Sequence, residues 1–240
     1  MNDKGYTIEE ILSIFDQAPA SLECFKGLGR LTPEKKKLYQ EKYEHFLLTN
    51  NSRKLNGKNE DDDNRIKGKA LEDLVSAMFE ATGEYFEIYR NIRNGTNEVD
   101  LFVQFSGKAK RISHILGEQY SDIICECKNY GTHVKVTYVG KFYSLMQSTN
   151  NKIGIMFSHD GFSGKSWSAA TGLSKKLFML KEKEEDKTYI LDFSKDDFKA
   201  ILDGESLFNI LNNKCQALRL GIDDIKKYIT LHPNENKVVN

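Results

Sequence analysis

Asp100 and the run Ile124-Cys125-Glu126-Cys127-Lys128-Asn129 put ionisable side chains into stretches that otherwise read as apolar strands. The first stretch is Glu98-Val99-Asp100-Leu101-Phe102-Val103-Gln104-Phe105 and the second Asp122-Ile123-Ile124-Cys125-Glu126-Cys127-Lys128. Side chains on a strand alternate between faces, so Glu126 and Lys128 project to one side and Cys125 and Cys127 to the other. If the two strands pair, Asp100 joins them, and two carboxylates and an ammonium meet on one patch of sheet. Hard cations such as Mg²⁺ take carboxylate, carbonyl and water oxygens, and a bound metal activates water against a phosphodiester. Charge alternating with apolar residues is also the ordinary pattern of a half-buried strand, so neither stretch carries the argument alone.

A third carboxylate lies upstream. In Lys67 to Phe79, the residues Leu71, Leu74, Val75, Met78 and Phe79 recur at helical spacing and form one face, with Gly83 placed to stop the helix. Glu72 lies at the edge of that stripe, where a carboxylate can look across the rim of the buried face toward the sheet. The alternative is a boundary Glu that keeps its head in water, the usual state of a charged residue.

Helix with Glu, strand with Asp, then strand with Glu-x-Lys is the order found in the PD-(D/E)xK nuclease superfamily, and the chain resembles its Mrr-like restriction endonuclease branch. The likeness continues beyond Glu126-Cys127-Lys128-Asn129-Tyr130 into an amphipathic segment with Val136, Val139, Tyr143 and Met146. The strand Ile153-Gly154-Ile155-Met156-Phe157-Ser158 follows, then Gly161-Phe162-Ser163 leading toward Trp167, Ala169 and Ala170. It spans residues 66 to 193. Two features depart from it: Val99 stands where many members carry Pro, and the interval from Asp100 to Glu126 is long. That interval reads as an extended hairpin or an insertion.

The resemblance implies an α/β fold, a restriction-endonuclease-like mixed sheet flanked by helices, with a small N-terminal helical region. It implies a metal-dependent endodeoxyribonuclease acting on double-stranded DNA with Mg²⁺, for which Mn²⁺ can substitute. Asp100 and Glu126 would ligate the metal, with the carbonyl of Cys127 as a third oxygen and Glu72 holding a metal-bound water or a second ion. Lys128 would orient the attacking water and offset charge in the transition state. Restriction or defence against foreign DNA is the setting it suggests. A Holliday-junction or repair nuclease on the same fold, or a non-catalytic DNA-binding module, stays open.

Composition sets outer bounds. The 240 residues, 39% of them hydrophobic, are enough for one sizeable core. No apolar run is long enough to span a membrane, and Met1-Asn2-Asp3-Lys4 opens directly into a polar, helix-like sequence, so a cytoplasmic protein is expected. Cys24, Cys125, Cys127 and Cys215 form no Cys-x-x-Cys and read as packing residues. Net charge is zero, yet Lys128 to Lys181 holds eight lysines (128, 135, 141, 152, 165, 175, 176 and 181) against the single acid Asp160. As a block these would supply phosphate contacts beside the proposed site; individually, solvated lysines are the simpler account.

The elements that must position these groups follow from capping and periodicity. Thr7-Ile8-Glu9-Glu10 is a capping-box signal for a helix through Phe15, and a second helical segment surrounds Leu22 to Phe25. Thr32-Pro33-Glu34 starts another, running to about Leu48 with Leu38, Tyr39, Tyr43, Phe46 and Leu47 as its apolar side. Residues 1–50 thus form an N-terminal helical region, for which DNA recognition, a protein partner and homodimer formation are all open. Thr49 to Asn64 is nearly devoid of apolar residues, giving a polar linker at 51–65. Its run Glu60-Asp61-Asp62-Asp63 reads as solvated charge. The nuclease-like domain is 66–232 and the tail 233–240. Within the domain the pattern predicts a helix over 66–82 and strands near 85–92, 98–105 and 122–128, then helix 134–149 and strand 153–158. A helix from about Ser163 should follow, with Phe162 and Trp167 as a hydrophobic staple. After a charged loop at 181–187 come a strand at 189–193, a helix capped by Ser194, and helices at 205–215 and 221–231.

Other candidates are weaker. His133 and His159 fall in loops after the motif strands, where a phosphate could approach, but a lone loop His is ordinarily a surface residue. Gln147 is a candidate DNA contact late in its helix. Neither Gly27-Leu28-Gly29-Arg30 nor Gly164-Lys165-Ser166 completes a phosphate-binding loop of the Walker type, so ATP hydrolysis is not expected.

Overall fold

The computed structural model describes residues 28–51, 60–93, 98–164 and 168–222. The expected helices around Thr7 to Phe25 and at 221–231, the 233–240 tail and Trp167 lie outside the described residues, or all but so.

Helix α1 (Pro33–Asn51) begins at the proline, whose fixed φ and missing N–H suit a first turn. Its buried side is Tyr39, Tyr43, Phe46 and Thr49, while Leu38 is half exposed. The Tyr39 hydroxyl donates to the Phe198 carbonyl at 3.0 Å, and the Phe46 and Phe198 rings meet edge-on at 5.8 Å. Helix α1 therefore packs into the same core as the sheet.

Helix α2 (Glu60–Ala81) starts six residues before its expected first residue. The aspartates assigned to a solvated linker occupy its first turn, where negative charge complements the helix dipole. Asp63 is buried and pairs with Lys67 one turn on at 2.7 Å. A run of like charge and a helix start look alike in sequence; tertiary packing decides between them.

Among the described residues five strands follow: β1 (Phe86–Arg93), β2 (Glu98–Phe105), β3 (Asp122–Cys127), β4 (Ile153–Phe157) and β5 (Tyr189–Phe193), in spatial order β1-β2-β3-β4-β5. The first three pair antiparallel and the last three parallel, a mixed sheet. Between β2 and β3 the chain forms no extended hairpin. It makes two short helical turns, α3 (Gly107–Lys110) and α4 (Ser113–Leu116), and a 3-10 turn at Glu118–Tyr120. Ser106 caps the first by accepting from the Ala109 N–H, and Ala109, Leu116 and Tyr120 are buried, so the insertion is anchored by its own apolar residues.

Helices α5 (Val136–Ser148) and α6 (Ala170–Met179) make the parallel crossovers, and α7 (Lys195–Leu202) and α8 (Leu207–Arg219) close the chain's described part. The capping box at Ser194 forms as expected, with Asp197 returning the hydrogen bond. Helix α6 begins at Ala170 rather than near Ser163, although the Ser163 hydroxyl still reaches the Ala170 N–H at 3.3 Å. One face of the sheet (Leu101, Val103, Ile123, Cys125, Ile155) packs on α1, α2, α7 and α8; the other (Ile124, Met156, Ile190) packs on α5 and α6. Coverage on both faces is what a parallel sheet requires.

Two glycines serve close approach. Gly161, at φ +75°, sits under Asp192, and a Cβ there would meet its Oδ2 at 2.9 Å; instead the Phe162 N–H donates to that oxygen at 3.0 Å. Gly154 in β4 lets α5 settle on the sheet: a Cβ would lie 2.4 Å from the Met146 sulfur and 2.6 Å from the Phe142 ring. Gly154→Ala is therefore expected to cost about 1–3 kcal/mol by overpacking, read from urea unfolding; a neutral result would mean that α5 is not seated as described.

Candidate active site

The site is made by strand register. Leu101 pairs with Cys125 and Phe102 with Ile124, antiparallel, so the next position brings Asp100 of β2 beside Glu126 of β3. Both carboxylates point to the face that carries Phe102 and Ile124, at the C-terminal end of β3. Cys125 and Cys127 face the opposite core and are buried free thiols. One Asp100 oxygen, Oδ2, accepts from the Cys127 backbone N–H at 2.7 Å. This bond fixes the aspartate against the neighbouring strand. Lys128 continues the ladder to β4 through its N–H on the Phe157 carbonyl at 2.8 Å. Its ammonium ion-pairs with Glu126 and lies 4.0 Å from Asp100 Oδ2. All three side chains are less than a fifth exposed, so they are recessed rather than on an open surface, and Lys128 also lines a small cavity.

Glu72, on α2, lies within the electrostatic reach of Asp100. It is half-buried, and burial, then the Asp100 carboxylate, pushes its carboxyl above the ordinary range, against the pull of Lys69 and Arg90. Glu126 is raised by burial and then by Asp100, with Lys128 opposing. Burial acts to lower the Lys128 ammonium, but Glu126 and then Asp100 outweigh it and hold it well above its ordinary value. The cleft thus concentrates negative charge on oxygen donors that solvent reaches poorly. That is the environment a hard divalent cation relieves.

The donor chemistry fits such an ion, although no cage stands ready. Among the described residues no group of three or more His, Cys, Asp or Glu side chains is already disposed around one point. Glu126 is turned to Lys128, and an Asp100 oxygen to the Cys127 N–H. Binding an ion would exchange the Glu126–Lys128 contact for a metal–oxygen contact.

The comparisons with known proteins bear on this span of chain. The Mrr-type restriction endonuclease model matches residues 64–184, half of the sequence. The chain belongs to the restriction endonuclease family. Neither the curated proteins nor the solved structures contain a match. The matched span includes Glu72, Asp100, Glu126 and Lys128, and restriction endonucleases act on DNA and generally use divalent metal ions. No helix among the described residues is long and apolar enough to cross a membrane.

Other expectations for this endonuclease domain need correction. The lysine block does not form one patch, because the chain crosses the sheet repeatedly. Lys128 and Lys135 are at the cleft end, whereas Lys152 precedes β4 and shares a polar cavity with Lys181 and Gln147 at the other end. Gln147 there donates to the Thr188 hydroxyl at 3.1 Å. His159 is a packing residue, 5.5 Å from the Phe46 ring and 2.7 Å from Asp160. His133 is exposed and lines a small cavity beside Lys128.

Three supporting groups escaped the sequence. Asn129 is buried and donates to the Lys67 carbonyl at 2.9 Å, tying the loop after β3 to the helix that carries Glu72. Asp73 gathers Lys69 at 3.1 Å and Arg90 at 3.0 Å, holding two cations near Glu72. Asn91, at φ +51°, occupies the β1 position facing Asp100 in the ladder, a left-handed backbone unusual for a strand. Only Asn129 had a signal, its place next to Lys128.

The raised Glu72 carboxyl has a sign that can be checked. The folded state keeps a proton that the unfolded chain releases. Stability therefore falls as pH rises from the ordinary carboxylate value through the raised one, and stays lower above it. Glu72→Gln should raise the melting temperature of the metal-free protein near neutral pH, with the gain vanishing below the ordinary carboxylate range. A lower melting temperature for the variant at neutral pH would contradict this account of the cleft.

Proposed function

We propose that this chain is a Mg²⁺-dependent endonuclease that hydrolyses DNA phosphodiester bonds in restriction or defence against foreign DNA, in the cytoplasm. The observation that carries the proposal is the meeting of Asp100, Glu126 and Lys128 at one end of two paired strands, within the electrostatic reach of Glu72. A divalent ion held there would act as Lewis acid to the phosphate and make hydroxide available near neutral pH. Asp100 and Glu126 are its ligands in this reading, with the Cys127 carbonyl as a third oxygen and Glu72 holding a water or a second ion.

The protein groups divide the remaining work. Asp100 enters the reaction already oriented by the Cys127 N–H. Lys128, with its ammonium strongly favoured over the amine, is suited to donating hydrogen bonds rather than to removing a proton. It positions the attacking water and offsets charge gathering on the phosphorane-like transition state. Attack on the scissile phosphate leaves a 5′-phosphate and a 3′-hydroxyl. Cutting both strands of a duplex calls for two such centres, which a homodimer supplies.

The test is a cleavage screen with Mg²⁺ or Mn²⁺ over linear, supercoiled, methylated, branched and single-stranded DNA. Asp100→Asn and Lys128→Ala are each expected to reduce cleavage about 10²–10³-fold without loss of folding or of DNA binding. Mg²⁺ should raise the melting temperature of the wild type and not of Asp100→Asn. Cleavage confined to branched DNA favours the junction or repair nuclease. Wild-type protein that binds duplex but never cuts any substrate is a binding module.

A further inference from the structure

Beside the cleft lies a feature that the hydrolysis itself does not use. Tyr130, two residues past Lys128, is 48% exposed, although it is among the largest side chains in the molecule. The Tyr138 ring stands behind it at 5.7 Å, tilted by 31°, which limits the rotation of Tyr130 while leaving its outer face to solvent. Tyr130 and Lys128 line the same small recess. Between them opens a cavity of about 90 Å³, lined by Lys128, Tyr130, Thr132, His133, Lys135 and Tyr138.

The chemistry of that lining is selective. It contains Lys135, a histidine, the hydroxyls of Thr132, Tyr130 and Tyr138, and Lys128, whose ammonium is paired with Glu126; no carboxylate lines it. It therefore suits an anion with several acceptor oxygens. The cavity is small and polar-lined, which suits a phosphate group. A base attached to a phosphate lodged there can lie outside, against the exposed face of Tyr130.

We propose that Tyr130 is a stacking platform for an unpaired base beside the cut, with the phosphate of that nucleotide seated against Lys135. The proposal rests on the nuclease reading of the adjacent carboxylates and adds a preference in substrate. Inside an intact duplex both faces of a base are covered by its neighbours, so only a base at an end, gap, mismatch or single-stranded flank can take this position. Stacking on an aromatic ring serves every base, because each has a π-face. The platform accordingly selects the state of the DNA and not its sequence.

The test measures binding of the full-length chain in EDTA at low salt, so that nothing is cut. The probes are a fully paired duplex and the same duplex with one unpaired 2-aminopurine at an overhang or gap. Wild type should quench the 2-aminopurine and bind the unpaired probe about tenfold more tightly than the paired one. Tyr130→Phe should retain both effects. Tyr130→Ala should lose both while keeping its affinity for paired duplex and its melting temperature, since the side chain lies outside the core. Lys135→Ala should weaken the unpaired probe more than the paired one. Wild-type quenching and preference in Tyr130→Ala, or no preference in the wild type, overturns the proposal. The readout is independent of cleavage. A protein that shows the preference but never cuts retains the platform and loses the nuclease reading; one that cuts without the preference loses only the platform.

Discussion

The antiparallel register of β2 against β3 is the constraint on which the rest depends. Leu101 opposite Cys125 puts Asp100 beside Glu126, and the Cys127 N–H then locks the Asp100 carboxylate at 2.7 Å. Side chains on a strand alternate, so a slip of one residue would send Glu126 and Lys128 into the core and the cysteines to the cleft. Burial of Leu101, Val103, Ile123 and Cys125 on one face and of Ile124 on the other penalises that slip. The packing that makes the sheet stable also aims the chemistry.

Charge is the second organising element. Asp100, Glu126 and Lys128 share a largely buried place with Glu72 in electrostatic reach, and burial first, then the Asp100 carboxylate, raises the Glu72 and Glu126 carboxyls. The surrounding cations are kept at fixed stations: Lys128 against Glu126, and Lys69 and Arg90 against Asp73. Folding tolerates this group of charges rather than being driven by it, since burial penalises the ionised carboxylates.

The parallel half of the sheet supplies the approach to this cleft. Loops after β3 and β4 emerge at the same end and are joined, with the Val134 N–H on the Gly161 carbonyl at 2.9 Å and the Ser163 N–H on the Val134 carbonyl at 2.9 Å. Gly161 allows the turn to close on Asp192, so the Gly-Phe-Ser element serves the packing of these loops against β5. Tyr130 and Lys135 sit on the loop held by this contact, and Asn129 ties its start to α2. The cleft and its flank are parts of one framework.

Much of this was legible in the chain. Period-2 alternation marked β2 and β3, helical spacing from Leu71 to Phe79 marked α2, and the motif order named the family, because those signals are local and repeat within a few residues. What sequence left undetermined depends on distance across the fold. The acidic run of α2 needed Lys67 and the helix dipole to be told from a linker. The insertion after β2 revealed its helical turns only through the burial of Ala109, Leu116 and Tyr120. The lysine block dispersed because each crossover reverses the chain, and Asn129 gained its role from a carbonyl 62 positions away. By itself the sequence determined which side chains carry charge, and on which face of each strand or helix they stand. Tertiary structure alone decided which of those faces meet, because strand register and helix docking are set by the summed burial of residues far apart in the chain.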